Sequence, residues 1–211
     1  MQNNTSKMVA LLGKIRKQMN GAVLDTFRYY GAKYGMNYGV AIHSLRQMAL
    51  EQGVDHSLSQ FLYRQQVREL QIIALWIADA KAVSADELDF WMEGIINSEI
   101  AEQAAQALFA NVNCIDTLLE RWCASDNLLH AYAALLSASR SGVVSDEAIS
   151  NAAVLCAERF GDNHLVAQGI TNMLASRIAT AKQMVEQTLL HLPDNKTAAI
   201  VREEISWRLE Y

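Results

Sequence analysis

Two carboxylates three residues apart, Glu99 and Glu102, open a helical stretch in the segment WMEGIINSEIAEQAAQALFA (91–110). That spacing puts both on one face of a helix. A carboxylate pair on one face can do acid–base work or stabilise developing positive charge. Acids in a first helical turn also compensate the helix macrodipole, which is their plainer role. Ser98 stands where it can cap this helix. Ala101, Ala104, Ala105 and Leu108 follow at helical spacing, so a neighbouring helix can approach closely.

Other reactive groups are sparse. His43, His56, His130, His164 and His191 form no HExxH and no zinc spacing with cysteine, so no metal site and no metal cofactor is expected. Cys114, Cys123 and Cys156 lie far apart in apolar surroundings with no CxxC, and read as free thiols of a reducing, cytoplasmic compartment. There is no GxSxG. The stretch GAKYGMNYG (31–39) is the clearest loop. Its backbone amides can approach a phosphate, but GxGxxG and P-loop spacings are absent, and its plainer role is that of a connector. Neither a signal peptide nor a membrane-length apolar run is expected.

The elements that must carry these groups are helical. In 211 residues there is 1 Pro, 51% are hydrophobic and 19% charged, the profile of a folded helical chain. The net charge of −5 hides an asymmetry: residues 1–68 balance to +6 and the remainder to −11. A basic N-terminal third can meet an anionic partner, whereas the overall acidity opposes broad, non-specific nucleic-acid binding. Arg46, Arg64 and Arg68 come from consecutive helical segments and are expected to align on one face.

Helices are expected at about 5–19, 22–30, 39–52 and 56–65. In the first, Met8, Leu11, Leu12, Ile15 and Met19 share a stripe. The segment VRELQIIALWIAD (67–79) is apolar nearly all round and should be central, with Trp76 buried. Ser84 and Glu87 form a capping box. A pattern then recurs. Segments 67–78, 99–110, 127–138 and 164–175 can be superposed, each closing on alanine (Ala78, Ala110, Ala138, Ala175). Each follows another helical stretch, at 56–65, 85–96, 113–124 and 146–160. Asp126, Asp146 and Asp162 mark helix starts between them. The expected fold is an all-α solenoid of stacked helix pairs forming one domain over 1–211, with tail helices 179–191 and 196–210 split at Pro193.

The run YGVAIHSLRQMA (38–49), VRELQIIALWIAD (67–79), FWMEGIINSEIAEQ (90–103), RWCASDNLLHAYAALL (121–136) and HLVAQGITNML (164–174) resembles the bacterial AlkD-type DNA alkylation repair proteins over roughly residues 10–190. The resemblance implies a HEAT-like repeat superhelix whose concave basic face holds duplex DNA and releases cationic alkylated purines without flipping the base into a pocket. The family has a tryptophan, and an aspartate four residues on, at the start of a central helix; here these are Ser98 and Glu102. The family's arginine falls at Ala131 or Tyr132, and its second tryptophan at Asn172. The resemblance with these departures implies a divergent, DNA-binding member whose N-glycosylase activity is weak or lost. Glu102 would be the surviving carboxylate, with Ser98, Tyr132, Asn172, Arg46, Arg64 and Arg68 along the DNA. The other reading is a helical-repeat scaffold for a protein partner.

Overall fold

The recurring alanine-closed segments become one row of helices, and the stretches between them become another. The computed structural model describes residues 2–29 and 34–210, without the side chains of Gln2 and Arg28; Tyr30 and Gly31 to Lys33, part of the glycine-rich loop, lie outside the described residues. Helices α1 (Gln2–Lys17) and α2 (Gly21–Tyr29) lead in. The first row is α3 (Ile42–Gln52), α5 (Arg68–Ile77), α7 (Ser98–Ala107), α9 (Leu128–Arg140), α11 (His164–Ala175) and α13 (Lys196–Glu210), each packed on the next. The second row is α4 (His56–Tyr63), α6 (Leu88–Glu93), α8 (Ile115–Cys123), α10 (Asp146–Arg159) and α12 (Ile178–His191). Consecutive pairs α4–α5, α8–α9 and α10–α11 bridge the rows, which is the HEAT-like arrangement that the recurrence predicts. No strand occurs among the described residues, only an isolated parallel bridge between Met36 and Val67. No helix there is long and apolar enough to cross a membrane.

The first row packs closely because its facing residues are small. Ala101, Ala104 and Ala105 of α7 and Ala131, Ala133 and Ala134 of α9 are fully buried. On α11, a Cβ at Gly169 would lie 3.1 Å from Leu135 and 3.3 Å from Tyr132, so this glycine lets α11 sit against α9. This first row, each helix of which packs on the next, is called the inner row. Between the rows runs a chain of aromatic contacts: Tyr63 to Trp91 (ring centroids 4.8 Å apart), Trp91 to Phe109 (6.3 Å) and Phe109 to Trp122 (4.7 Å). Tilted and edge-to-face geometries like these suit the ring quadrupoles. A Cβ at Gly94 would lie 2.2 Å from the Tyr63 ring, so only glycine fits there.

Several expectations shift in detail. The α7 cap moves by one residue. Asn97, not Ser98, caps α7 by accepting from the Ile100 amide at 3.0 Å. Asn127, Ser145 and Asn163 cap α9, α10 and α11, each adjoining the Asp126, Asp146 or Asp162 that marks the helix start. Asn, Asp and Ser are near-equal N-caps, so where two adjoin the sequence does not choose between them. The Ser84–Glu87 capping box is present. Leu11 and Ile15 of α1 are buried, but the helix ends at Lys17 and Met19 beyond it is exposed. Trp76 is only half-buried, and the fully buried indoles are Trp91 and Trp122. Its polar edge explains the difference, because Nε1 donates to Gln103 Oε1 at 3.2 Å on the inner surface.

Two outcomes follow. Trp122→Ala should cost about 3–5 kcal/mol in chemical denaturation, and Trp76→Ala less than half of that; equal losses would put Trp76 back in the core. The Asp55 carboxyl, which caps α4, is held below its usual range by a hydrogen bond from Lys7 of α1 and the Leu58 amide. Its folded-state pKa is therefore depressed, and its contribution is present above the unfolded value and lost as pH falls through the folded one. Asp55→Asn should flatten the acid side of the stability–pH curve below about pH 4 and leave the alkaline side alone, as thermal melts across pH would show.

Candidate functional site

The start of the inner row is organised by a buried arginine. Arg68, the first residue of α5, is 1% exposed. Its Nε and Nη2 donate to the two carboxylate oxygens of Glu99 at 2.8 and 2.6 Å, a bidentate fork. Its Nη1 donates to Val40 O at 2.8 Å and to Glu69 at 3.1 Å, and its guanidinium lies 4.5 Å from the Phe27 ring centroid. Glu69, fully buried, accepts the amides of Tyr38 and Val40. Tyr34 donates its hydroxyl to Glu99. Burial, with the Glu99 charge beside it, pushes the Tyr34 pKa well above the usual tyrosine range.

This cluster corrects the sequence reading of Arg68 and favours the plainer of the two readings of Glu99 and of the glycine-rich loop. Arg68 is an internal tie and is not available to a phosphate. Glu99 is consumed by it and does not pair with Glu102 for chemistry. At the described end of the glycine-rich loop the Tyr38 amide donates to Glu69 and the Gly39 amide to Asn37 Oδ1, so both are used within the chain. The three arginines also have different partners: Arg64 is exposed and lies 4.8 Å from the Phe90 ring centroid on α6, whereas Arg46 contacts Trp76 and Gln106 on α5 and α7.

The inner surface proper begins at Arg46 of α3. Its guanidinium lies 4.7 Å from the Trp76 ring centroid on α5, and its Nη2 donates to Gln106 Oε1 on α7 at 2.7 Å. One cation thus spans three consecutive inner helices. Gln103 and Gln106 share the α7 face with Glu102 by helical spacing. The exposed Glu102 carboxylate accepts a long hydrogen bond, 3.4 Å, from the hydroxyl of Tyr132 on α9. Burial, then the nearby Glu102 charge, pushes the Tyr132 pKa up to about 12, so the phenol stays a donor at neutral pH. Arg140, two turns beyond Tyr132, continues the α9 face and donates to Leu136 O. Ser98 is exposed one turn before Glu102. Ala131 is fully buried and Tyr132 is 4% exposed, and of the two only Tyr132 has a polar group, its hydroxyl, in contact with the exposed Glu102. Asn172, half-buried, lies one turn beyond Gly169, which abuts Tyr132. The sequence reading missed Gln103, Gln106 and Arg140; two glutamines three apart on an otherwise alanine-rich helix were the available signal.

Charge divides between the rows. The outer α6, α8 and α10 carry Asp89, Glu93, Asp116, Glu120, Asp146, Glu147 and Glu158 against Arg121 and Arg159. Inner helices α9 and α11 carry no carboxylate at all. On α3, Glu51 pairs with Lys14. Glu69 and Glu99 pair with Arg68, which leaves Glu102 as the one acid of the inner helices α3, α5, α7, α9 and α11 without a cation among the described residues; α13, which closes the row, adds Glu203, Glu204 and Glu210.

A family model described as DNA alkylation repair enzyme matches residues 13–204. A solved structure described as a new family of proteins related to the HEAT-like repeat DNA glycosylases with affinity for branched DNA structures superposes with a TM-score of 0.71. The two chains are 17% identical, and the match covers 94% of each. No curated protein matches.

The buried cluster sets a stability test. Removing one partner of a buried, bidentate pair strands the other charge, so Arg68→Ala should cost about 3–5 kcal/mol in urea denaturation. Arg68→Lys should recover little, since an ammonium cannot reproduce the fork. A loss below about 1 kcal/mol would mean that the cluster is solvated and not an internal tie.

Proposed function

The chain belongs to the DNA alkylation repair enzyme family, and on that premise we propose that it binds DNA along its inner row, with N-glycosylase activity weak or lost. The observation that carries the binding is the charge division between the rows. From α3 to α11 the inner helices carry no carboxylate without a cation except Glu102, the acids Glu203, Glu204 and Glu210 coming only with α13 at the end of the row, and Arg46, Arg140, Gln106 and the edge of Trp76 lie along that stretch with Gln103 buried behind them. Cations and amides suit phosphate and sugar contacts, which position a duplex without reading its sequence. The affinity of the structurally similar protein for branched DNA fits the same surface.

The weak or lost chemistry follows from what surrounds Glu102. A cationic lesion needs a carboxylate to stabilise the charge developing on the sugar, and rigid neighbours to hold the nucleotide against it. Glu102 supplies the carboxylate. At the family's aromatic and arginine positions stand a hydroxyl (Ser98), a phenol (Tyr132) and an amide (Asn172). Each lost stacking surface forfeits about 1–3 kcal/mol by the scale of aromatic–nucleotide contacts.

Anisotropy of a labelled duplex should show affinity falling with salt. Arg46→Gln combined with Arg140→Gln should shallow the slope of log K against log salt by up to about 1.8 units. Unchanged binding in that double variant would reject this surface, and no binding even at low salt would favour a protein-binding scaffold. On a duplex carrying an N-methylated purine, base release should lie near background, and Glu102→Gln should remove whatever remains. Ser98→Trp with Glu102→Asp should raise it. Robust turnover that survives Glu102→Gln would overturn the assignment of the carboxylate.

A further inference from the structure

Beside the starts of α5 and α7, away from the inner stripe, lies a cleft of about 540 Å³. Its walls are Gly35 and Gln66 on one side and Phe90, Glu93 and Ile96 on the other, with Arg64 at the rim and Gln71 inside. Gln71 is 4% exposed, and its Oε1 is buried without a hydrogen-bond partner among the described residues. A buried amide oxygen left unpaired is an uncommon and unfavourable state that a ligand's N–H would relieve. Ile96 is exposed, and Phe90 is half-buried with the Arg64 guanidinium 4.8 Å from its ring centroid. The cleft therefore combines apolar walls, a planar cation on an aromatic ring, and one internal amide.

Those features have the chemistry of a nucleobase carrying its phosphate. A base offers flat faces to Phe90, Ile96 and the guanidinium plane, and a polar edge to a side-chain amide. One rim cation, Arg64, suits a single phosphate. The Glu93 carboxylate opposes a run of phosphates entering the cleft, so the base goes in and the backbone stays at the Arg64 side. Resting on the DNA-binding reading above, we propose that this cleft holds one unpaired nucleotide of a branched or forked DNA whose duplex arm lies on the inner row. The cleft includes Ile96, two residues before Ser98 in the segment that leads into α7.

The test compares a forked duplex, with 2-aminopurine at its first unpaired position, with a blunt duplex of the same paired sequence; adenosine monophosphate serves as a competitor. Wild type should bind the fork about fivefold or more tighter than the blunt duplex, the low end of what one stacked base contributes. The 2-aminopurine emission should change on binding. Gln71→Leu, which keeps the volume, should bring the fork-to-blunt ratio close to one and leave blunt-duplex affinity unchanged. Arg64→Ala, at an exposed position that cannot unfold the chain, should also lower the ratio. Equal wild-type affinities for fork and blunt duplex, or a preference that survives both substitutions, would overturn the subsite while leaving the DNA-binding reading intact. A Gln71-dependent change with adenosine monophosphate but none with the fork would reassign the cleft to a free nucleotide. Failure of every DNA to bind would overturn the functional reading as well.

Discussion

The Arg68 guanidinium, withdrawn from water at the head of α5, is the constraint on which the inner row depends. Taking that charge out of solvent is unfavourable unless its donors are satisfied in good geometry. The fold satisfies them from three places: Glu69 on the same helix, Glu99 on α7 and Val40 O in the segment before α3. The register of α5 against α7 is thereby fixed at one end, and the chain entering α3 is fixed against both. Glu69 completes the tie by taking amides from the same segment. Once Arg68 has claimed Glu99, the carboxylate pair suggested by spacing no longer exists, and Glu102 stands alone on the surface.

Packing carries that register down the solenoid. Alanines on α7 and α9 and Gly169 on α11 keep the inner helices close, while Trp91, Phe109 and Trp122 hold the rows apart. The same helix faces that are too small to interlock by bulk leave room for polar residues, with Arg46 and Gln106 toward the surface and Gln103 and Tyr132 buried just beneath it. Acids on the outer helices then cost nothing at that surface, since at separations beyond a Debye length their fields are largely screened.

What the sequence disclosed follows this division. Apolar clusters closing on alanine located α5, α7, α9 and α11, because a helix buried against two neighbours must repeat its apolar face. Pro193 located the break between α12 and α13. The α7 cap was displaced by one because adjacent Asn and Ser residues compete on equal terms. Trp76 was misplaced because counting apolar residues cannot register an indole N–H that faces Gln103. Arg68 was misplaced because its partners lie 31 residues away at Glu99 and, through a backbone carbonyl, 28 away at Val40. The adjoining Arg68-Glu69 pair at the head of an otherwise apolar helix was the local hint of a buried ion cluster. The charge division was invisible until the helices were assigned to rows, since along the chain acids and bases only looked segregated by halves.

The state of Glu102 bears on how any remaining chemistry would work. In the free protein its carboxylate is exposed, so a developing positive charge about 4 Å away would gain only about 1 kcal/mol in water. A carboxylate becomes a strong electrostatic catalyst only where solvent is excluded and its position is fixed. Tyr132 contributes some fixing through a 3.4 Å hydrogen bond from a phenol that remains protonated at neutral pH. Exclusion of water would have to come from the bound DNA, pressed onto the flat amide and indole surface of α5 and α7. Without large side chains at Ser98 and Asn172, that seal is incomplete. On the proposed function, a surface built this way would hold a nucleic acid better than it would strain or desolvate one, and binding would outlast catalysis where the aromatic residues are gone.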